Sequence, residues 1–225
     1  MRFNAPSLAR STTLVAAIRG WPYVQGRMLL STAAAVMSPS VPVTPLFASL
    51  TEISSVLREN VARMGLKTLT PVQSATLPPL IEGKDVVAKA RTGTGKTVAF
   101  LIPTLESLLV SNRVSGQIRA LVMSPTRELA SQIGTAAADL AHGSGLRTGV
   151  MFGGTSMGKD RKLLDGELDL LVATPGRLWD HIENEGLMHR LSGLQVLVLD
   201  EGDRLLDAGF QKAIGQIVRK LPRAR

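Results

Sequence analysis

Asp200 and Glu201 are two adjacent carboxylates that directly follow the apolar run 195–199. The run predicts a strand buried on both faces, and carboxylates at the end of such a strand are costly unless a cation faces them. Asp200 could hold Mg²⁺, in part through water, because this ion keeps much of its hydration shell. Glu201 could orient or deprotonate a water that attacks a phosphoryl group. The pair therefore predicts metal-assisted phosphate chemistry.

A glycine-rich stretch, ARTGTGKT at residues 90–97, predicts the phosphate-binding partner of these carboxylates. Its glycines let backbone N–H groups face inward, and the helix that follows adds its positive N-terminus. Lys96 can then reach the outer phosphates of a nucleotide, and the Thr97 hydroxyl can ligate Mg²⁺ together with Asp200. The strict pattern has glycine in place of Ala90, so a plain glycine-rich turn competes with this interpretation, but the strand before the stretch and the helix after it favour phosphate binding. The predicted nucleotide contacts are Thr92, Gly93, Thr94, Gly95, Lys96 and Thr97.

Three further strand ends share a geometry suited to a nucleic-acid backbone. SPTRELA, FGGTS and TPGRL each follow an apolar run and offer small residues or an arginine where backbone N–H groups or a helix N-terminus are exposed. One such turn is ordinary connective structure, but three on one sheet edge indicate a track for a phosphodiester backbone. The turns contain no obvious reader of base edges, so we expect binding to be largely independent of sequence. The predicted contacts are Pro125, Thr126, Arg127, Gly153, Gly154, Thr174, Pro175, Gly176 and Arg177.

The elements that must position these residues alternate along the chain. Apolar, strand-like runs occur at residues 85–90, 118–124, 147–152, 169–173 and 195–199, with helical stretches between them. This alternation predicts an α/β domain with a doubly wound, mostly parallel sheet. In such sheets ligands bind beyond the carboxyl ends of the strands, which is where all the residues above lie.

Composition narrows the class of protein. Of the 225 residues, 44% are hydrophobic and 20% charged, which is typical of a globular domain. The chain contains no cysteine, which excludes a disulfide framework and thiolate metal sites, and its three histidines lack metal-ligand spacing. No apolar run approaches the ~18 residues of a membrane span, so we expect no membrane partner. The net charge of +8 suggests a polyanionic partner only weakly, because half of the excess lies in the first 51 residues.

The first forty residues have the composition of an organellar targeting segment. They contain spaced arginines at positions 2, 10, 19 and 27, many serines and threonines, and no acidic residue. On a helix, Leu8, Val15 and Ile18 would share one face. We therefore expect residues 1–40 to be a disordered targeting segment for the mitochondrion, or alternatively a plastid, and residues 41–225 to form the folded domain. A plain disordered tail is the competing interpretation.

The motifs, in this order and spacing, resemble those of one family. From about Phe47 to Arg225 the chain is similar to the N-terminal RecA-like domain of DEAD-box ATP-dependent RNA helicases, which are P-loop NTPases. The corresponding stretches are ARTGTGKT for the nucleotide, PTRELA, GG and TPGR for RNA, and DEGD for hydrolysis. The resemblance implies ATP and Mg²⁺ as cofactors and RNA as the partner, with Lys96, Thr97, Asp200 and Glu201 as the catalytic residues.

The resemblance also implies an adenine-recognition element in GLKTLTPVQ, residues 65–73. Gln73 would hydrogen-bond the adenine edge in bidentate fashion, a donor and acceptor geometry that excludes guanine. Phe47, upstream of this stretch, would pack on the adenine ring. The competing interpretation of Gln73 is a polar residue on a helix surface.

The chain departs from the family pattern in two respects. Gly202 stands where the family has alanine, at a cost of about 0.5–1 kcal/mol in backbone freedom, and we expect reduced precision rather than lost function. The sequence also ends at RKLPRAR, before the second RecA-like domain and its arginines, which are worth about 10³–10⁵ in rate in related systems. We therefore expect this chain, as a monomer, to bind ATP and Mg²⁺ but to need a second RecA-like domain for turnover. The alternative function is a catalytically idle ATP- and RNA-binding module.

Overall fold

The computed structural model describes residues 11–18 and 45–222. Within these two ranges, six strands form one sheet in the order β2-β1-β6-β3-β5-β4. The strands are β1 Ser11–Ile18, β2 Val86–Arg91, β3 Ala120–Met123, β4 Thr148–Met151, β5 Leu170–Ala173 and β6 Val196–Leu199. The helices are α1 Ser55–Arg63, α2 Pro71–Ile81, α3 Lys96–Val110, α4 Arg127–Ala141, α5 Met157–Asp165, α6 Pro175–Asn184, α7 Leu187–Arg190, α8 Gly202–Leu205 and α9 Gln211–Lys220.

The four strands β6, β3, β5 and β4 run parallel to one another. Every residue of β3, β5 and β6 is buried, as expected for strands covered by helices on both faces. The predicted runs agree with the observed β2 to β6 within two residues at either end. The prediction of an α/β domain with a mostly parallel sheet is therefore confirmed.

Successive residues of the parallel strands supply two separate cores, one on each face of the sheet. Val196, Val198 and the equivalent positions of β3 and β5 pack with α1 to α4, whereas Leu197, Leu199 and their equivalents pack with α6 and α9. This division follows from the two-residue repeat of a strand, which sends alternate side chains to opposite faces. Helices on both faces make the domain doubly wound.

The strand β1 differs from its neighbours because it is antiparallel to β2 on one side and to β6 on the other. Residues 11–18 were expected to belong to a disordered targeting segment, whereas the structure describes them as a strand. Five of the eight, STTLVAAI, are threonine, valine, isoleucine or leucine, and the first three of these types favour strands. The other residues of the predicted targeting segment lie outside the described ranges, so targeting stays a prediction.

A buried ion pair lies at the edge of the sheet opposite to the predicted ligand edge. Arg119 and Asp169, each 1% exposed, precede β3 and β5 and are joined by a 2.8 Å bond from Arg119 Nη2 to Asp169 Oδ1. Arg119 Nη1 also donates to the Leu108 carbonyl at the end of α3, and the Arg147 N–H donates to Asp169 Oδ2 before β4. These bonds tie three strand starts to one helix end.

None of the helices in the described ranges is long and apolar enough to cross a membrane.

Candidate functional site

Apart from Phe47 and Gln73, the predicted site residues follow the carboxyl ends of β2 to β6, so the sheet brings them to a single edge. The phosphate loop follows β2, and Asp200 follows β6. The three turns predicted to contact a nucleic acid follow β3, β5 and β4, which are consecutive neighbours in the sheet. The edge therefore divides into a part with the phosphate loop and carboxylates and a part with the three turns.

The phosphate loop turns through two glycines with positive φ, Gly93 at 76° and Gly95 at 85°. Such angles are readily adopted only by glycine, so the backbone itself requires both residues. Gly95 caps α3 without a side-chain hydrogen bond, which leaves the first N–H groups of that helix available to an anion. The Thr94 hydroxyl donates to the Arg91 carbonyl at 2.8 Å and braces the turn, while Thr92 and Gly93 are exposed.

Lys96, the first residue of α3, lies inside the loop and is 8% exposed. Its ammonium donates to the carbonyls of Ala90 and Arg91 at 2.9 and 2.7 Å. Burial lowers the pKa of Lys96, an effect that the nearby carboxylates of Asp200 and Glu201 oppose. To contact a phosphate, Lys96 would exchange its two carbonyl bonds for bonds to phosphate oxygens, which are stronger because both groups are charged.

Asp200 is 3% exposed, and burial raises its pKa to about 6. The neighbouring Glu201 carboxylate raises this pKa further, while a 3.0 Å bond from the Glu201 N–H to Asp200 Oδ1 and the charge of Lys96 act in the opposite direction. The carboxylate is therefore poorly compensated by the protein alone. A bound cation would stabilise its charged form.

Glu201 is the single non-glycine residue with positive φ, 51°, in the part of the chain that the structure describes. A left-handed conformation costs an ordinary residue roughly 1–2 kcal/mol, and such conformations concentrate at functional sites. The Glu201 carboxylate accepts a hydrogen bond from Arg204 one turn along α8. Gly202, the first residue of α8, has no positive φ, so the backbone does not require glycine there.

The oxygen donors at this edge fit magnesium bound together with phosphates. Asp200 supplies a carboxylate, and Thr97 supplies a hydroxyl from the first turn of α3. Among the described residues, no cluster of three or more His, Cys, Asp and Glu side chains could hold a metal by itself. Mg²⁺ needs no such cluster, because it keeps several waters and takes one or two protein ligands plus phosphate oxygens.

Gln73 connects α2 to the phosphate loop through both ends of its side-chain amide. Its Oε1 accepts from the Thr70 N–H at 2.8 Å, which forms a capping box, and its Nε2 donates to the Gly95 carbonyl at 3.1 Å. The residue is 2% exposed, so the interpretation as a surface residue is wrong. A bidentate bond to adenine would require this amide to give up its present partners. A Cβ added to Gly95 would lie 2.5 Å from Gln73 Nε2, a second reason for glycine in the loop.

Phe47 is also 2% exposed and packs in the hydrophobic core on the α1 to α4 face. Its backbone N–H donates to the Lys67 carbonyl, which joins the short 3₁₀ helix Phe47–Ser49 to the strand-like segment before α2. Stacking on adenine needs an open ring face, and the structure leaves none at Phe47. In this conformation its observed role is to pack beneath the segment that carries Gln73.

The Arg127 guanidinium reaches from the start of α4 to the glycine pair after β4. A Cβ added to Gly154, whose φ is 91°, would lie within 2.2 Å of Arg127 Nη1. Arg127 is exposed, and Thr126 caps α4 by accepting from the Leu129 N–H at 3.2 Å. Pro125 is buried, so of the predicted PTR contacts it is Arg127 that forms a surface with the GG pair, as an exposed cation at its centre.

Arg177, by contrast, is already bound within the protein. Its Nε donates to Asp160, its Nη2 donates to the Thr155 carbonyl, and its side chain is 10% exposed. His181, which is fully buried, places Nε2 3.0 Å from the same Asp160 oxygen. The predicted direct RNA contact of Arg177 is replaced here by a contact that holds the turn after Gly154.

Asp160 was not among the predicted site residues, because its partners in α6 lie 17 and 21 positions away. In the sequence it is one of two acidic residues in a helix with three basic ones, MGKDRKLLD, which is the pattern of an ordinary solvated face. The remaining TPGR residues surround Arg177: Thr174 caps α6, Pro175 is buried at its first position, and Gly176 is exposed.

Comparison with known proteins agrees with this geometry. A family model described as DEAD/DEAH box helicase matches residues 70–225. The chain is 50% identical over 169 residues to DEAD-box ATP-dependent RNA helicase 31 of Arabidopsis thaliana, an alignment that covers 72% of this chain and 24% of the relative. It is 44% identical over 177 residues to ATP-dependent RNA helicase RhlB of Shewanella sp. (strain ANA-3), covering 77% of this chain and 39% of that relative.

DEAD-box ATP-dependent RNA helicase 25 of Oryza sativa subsp. japonica is 46% identical over 181 residues, with 77% of this chain and 30% of the relative aligned. The chain thus spans between a quarter and two fifths of the length of these relatives. The matched region contains the phosphate loop, the three turns and the DEGD carboxylates on one sheet edge. The chain belongs to the DEAD/DEAH box helicase family.

Proposed function

We propose that this chain is the first motor domain of an ATP-dependent RNA helicase, in which ATP binding and hydrolysis are coupled to RNA binding and remodelling. The observation that carries the proposal is the division of one sheet edge into a phosphate loop facing carboxylates and a row of three adjacent turns. A kinase of small molecules needs the first part but not the second. Family membership and the printed names of the relatives support the same function.

The described residues have distinct roles in this proposal. Backbone N–H groups of the loop and of the α3 N-terminus bind the phosphates, and Lys96 neutralises them. Thr97 and Asp200 hold Mg²⁺, which offsets the charge that develops on the transferring group. Glu201, on its strained backbone, orients the attacking water. Gln73 recognises adenine and, through Gly95, transmits occupancy of the base site to the loop.

RNA is proposed to lie across the turns after β3, β5 and β4. Arg127 supplies a free cation for a phosphate, and Gly154 lets the backbone approach closely. Arg177 and Asp160 act indirectly, by fixing Thr155 beside the glycine pair. The contacts are to the backbone, so affinity should depend on salt and little on sequence.

A catalytically idle ATP- and RNA-binding module remains the second candidate. Both candidates need the same nucleotide and RNA contacts, and they differ in turnover. Addition of a second RecA-like domain from a related helicase separates them, since only a working motor domain would then hydrolyse ATP in response to RNA. Glu201→Gln is the matched control, because it should remove that hydrolysis and leave binding.

Nucleotide selectivity should depend on Gln73, and nucleotide affinity on Lys96. We expect Gln73→Ala to lose the preference for adenine over guanine nucleotides, because its amide matches only the adenine edge. Lys96→Ala should weaken the binding of adenine and guanine nucleotides alike, by about tenfold or ~1.4 kcal/mol, because a charged contact to phosphate is lost. Titration with fluorescent ATP and GTP analogues measures both effects, with Gln117→Ala, at the far edge of the sheet, as control. Equal binding of ATP and GTP by the unchanged protein would contradict the role of Gln73.

Asp200 should make the metal-free protein less stable as pH rises. Its folded pKa of about 6 lies above its ordinary value of 3.8, so the folded state holds the proton more tightly and loses this advantage between about pH 4 and 6. Asp200→Asn lacks the buried charge. In urea unfolding with a chelator, the stability of the variant relative to the unchanged protein should rise by up to about 2 kcal/mol between pH 4.5 and 7.5. Nucleotide binding by the variant should no longer respond to Mg²⁺. If the stabilities of the variant and the unchanged protein changed in parallel with pH, burial would not control the pKa of Asp200.

RNA affinity should fall in two variants for different reasons. Arg127→Ala removes a phosphate contact and should lower the salt dependence of binding to single-stranded oligouridylate by ~0.7 in log–log slope. Lys84→Ala, which removes an exposed cation at the opposite edge, should change neither the RNA affinity nor this slope.

Asp160→Asn should also weaken RNA binding although it removes a negative charge, because Arg177 then no longer holds Thr155. Tighter binding by folded Asp160→Asn would mean that Asp160 acts by repulsion alone.

We propose that residues 1 to about 30 direct import into the mitochondrion and are then removed. Arginines without acidic residues support this proposal. A fluorescent reporter fused to residues 1–45 should enter mitochondria, and replacement of its four arginines by glutamine should abolish import because the positive charge is lost. Diffuse cytosolic signal from the unchanged fusion would contradict the proposal, and plastid signal would favour the alternative.

A further inference from the structure

His181 is a fully buried histidine beside the proposed RNA surface. It lies in α6, four residues after Arg177, so the two side chains share one face of the helix. Its Nε2 is 3.0 Å from Asp160 Oδ2, the oxygen that also accepts a bond from Arg177 Nε. Its other ring nitrogen, Nδ1, is buried and has no hydrogen-bond partner among the described residues. The imidazole therefore makes its polar contact through one nitrogen alone.

These contacts determine which ring nitrogen of His181 carries the hydrogen. Asp160, paired with the Arg177 guanidinium, is a carboxylate and can only accept hydrogen bonds, so the imidazole hydrogen must be on Nε2. A second hydrogen on Nδ1 would be a buried donor without an acceptor. It would also add a charge where Arg177 already balances Asp160. His181 therefore serves as a neutral donor.

The Asp160 carboxylate depends on such donors for its orientation. It is 3% exposed, so the protein must supply most of its hydrogen bonds. Oδ2 accepts from Arg177 and His181, whereas Oδ1 faces the Thr155 hydroxyl at the longer distance of 3.4 Å. Two donors one helical turn apart reach Oδ2 from different directions, which fixes the plane of the carboxylate. A neutral donor achieves this without leaving an excess charge in the interior.

The orientation of Asp160 affects the glycine turn after β4 through Arg177. Arg177 Nη2 donates to the Thr155 carbonyl at 2.6 Å, and the Thr155 hydroxyl donates to the Phe152 carbonyl at 2.9 Å. The glycine pair lies between these two residues, so both ends of the turn are held by the network. A carboxylate that rotates would move the Arg177 guanidinium, and with it the backbone that a phosphate is proposed to approach.

We infer that His181 is a positioning residue of the RNA surface: as a neutral Nε2–H donor it orients Asp160, so that Arg177 holds the glycine turn after β4 in the conformation that receives an RNA phosphate. The inference deepens the proposed function and rests on it for the RNA-binding readout. His181 is fully buried and acts on RNA only through the two residues that it orients.

A second contact joins the same two helices outside this network. Arg161, the neighbour of Asp160 in α5, makes two hydrogen bonds to the carboxylate of Glu185, which caps α6. The Arg161 side chain is 60% exposed, and exposed ion pairs contribute little to stability. Loss of this pair weakens the attachment of α5 to α6 and leaves Asp160 oriented. Comparison of the two contacts therefore separates positioning of Asp160 from attachment of one helix to the other.

Three variants of the full chain test the role of the donor. His181→Leu removes it and keeps a side chain of similar size, whereas His181→Gln keeps a neutral N–H that can take the place of ring Nε2. Arg161→Lys keeps the charge but loses the two-bond geometry of the control pair. Titration with single-stranded oligouridylate at several salt concentrations measures the affinity and its salt slope, and urea unfolding checks that each variant is folded.

His181→Leu should bind oligouridylate about fivefold more weakly than the unchanged chain, and the other two variants should bind within about twofold of it. The log–log salt slope should be the same in all four proteins, because no phosphate-binding cation is removed. Unchanged binding by folded His181→Leu would overturn the inference. Equal losses in His181→Leu and His181→Gln would also overturn it, because the ring and not the donor would then be required.

A spectroscopic measurement on the unchanged chain tests the inference even if His181→Leu does not fold. A buried, hydrogen-bonded imidazole N–H exchanges slowly with water and gives an NMR signal, whereas the exposed rings of His142 and His189 exchange rapidly. The ¹⁵N-labelled chain should show one such signal, from Nε2, which is absent in His181→Gln. With normal RNA binding by His181→Gln, this signal supports the inference; no signal, or a signal from Nδ1, overturns it. A chain that shows the signal but binds no oligouridylate would instead contradict the proposed function.

Discussion

Burial of opposite charges at the end of the sheet is the interaction on which the candidate site depends. Lys96 and Asp200 are both almost fully buried, and burial shifts the pKa of each towards its neutral form. Their mutual attraction only partly offsets this cost. A nucleotide with its metal ion would bring phosphate oxygens to Lys96 and a cation to Asp200, so binding relieves a penalty that folding imposes. The site is organised for charge that a ligand supplies, which is how preorganised electrostatic sites gain their strength.

The same constraint explains why the backbone around these residues is unusual. Three residues with positive φ, Gly93, Gly95 and Glu201, lie within the two loops that carry the charges. Glycine makes two of these conformations inexpensive, but Glu201 adopts its own at a cost. The cost is tolerated because the bond from its N–H to Asp200 and the contact with Arg204 fix the turn. Gly202, next to this turn, is conformationally ordinary, so its exchange for the alanine of the family changes flexibility more than geometry.

The sequence predicts the fold, which the structure confirms, and it predicts a single edge for the motifs, because both depend on local patterns. Alternating apolar runs predict strands with helices between them, and the carboxyl ends of parallel strands must share one edge. It did not identify the partners of individual side chains. Gln73 was assigned to adenine, yet its amide bonds Thr70 and Gly95 in the structure, and Arg177 was assigned to RNA, yet it bonds Asp160 and Thr155. Such pairings depend on loop positions that a motif does not encode.

Residues 11–18 show the same limit at the level of a whole element. Their composition fits a strand, but the surrounding arginines and the lack of acidic residues fit a targeting segment equally well. A strand is stabilised mainly by its neighbours, and the neighbours of β1 are 68 or more positions away along the chain. Local propensity therefore could not decide between the two interpretations. The pairing of residues 11–18 with β2 and β6 is a property of the assembled sheet, and no local pattern in the sequence encodes it.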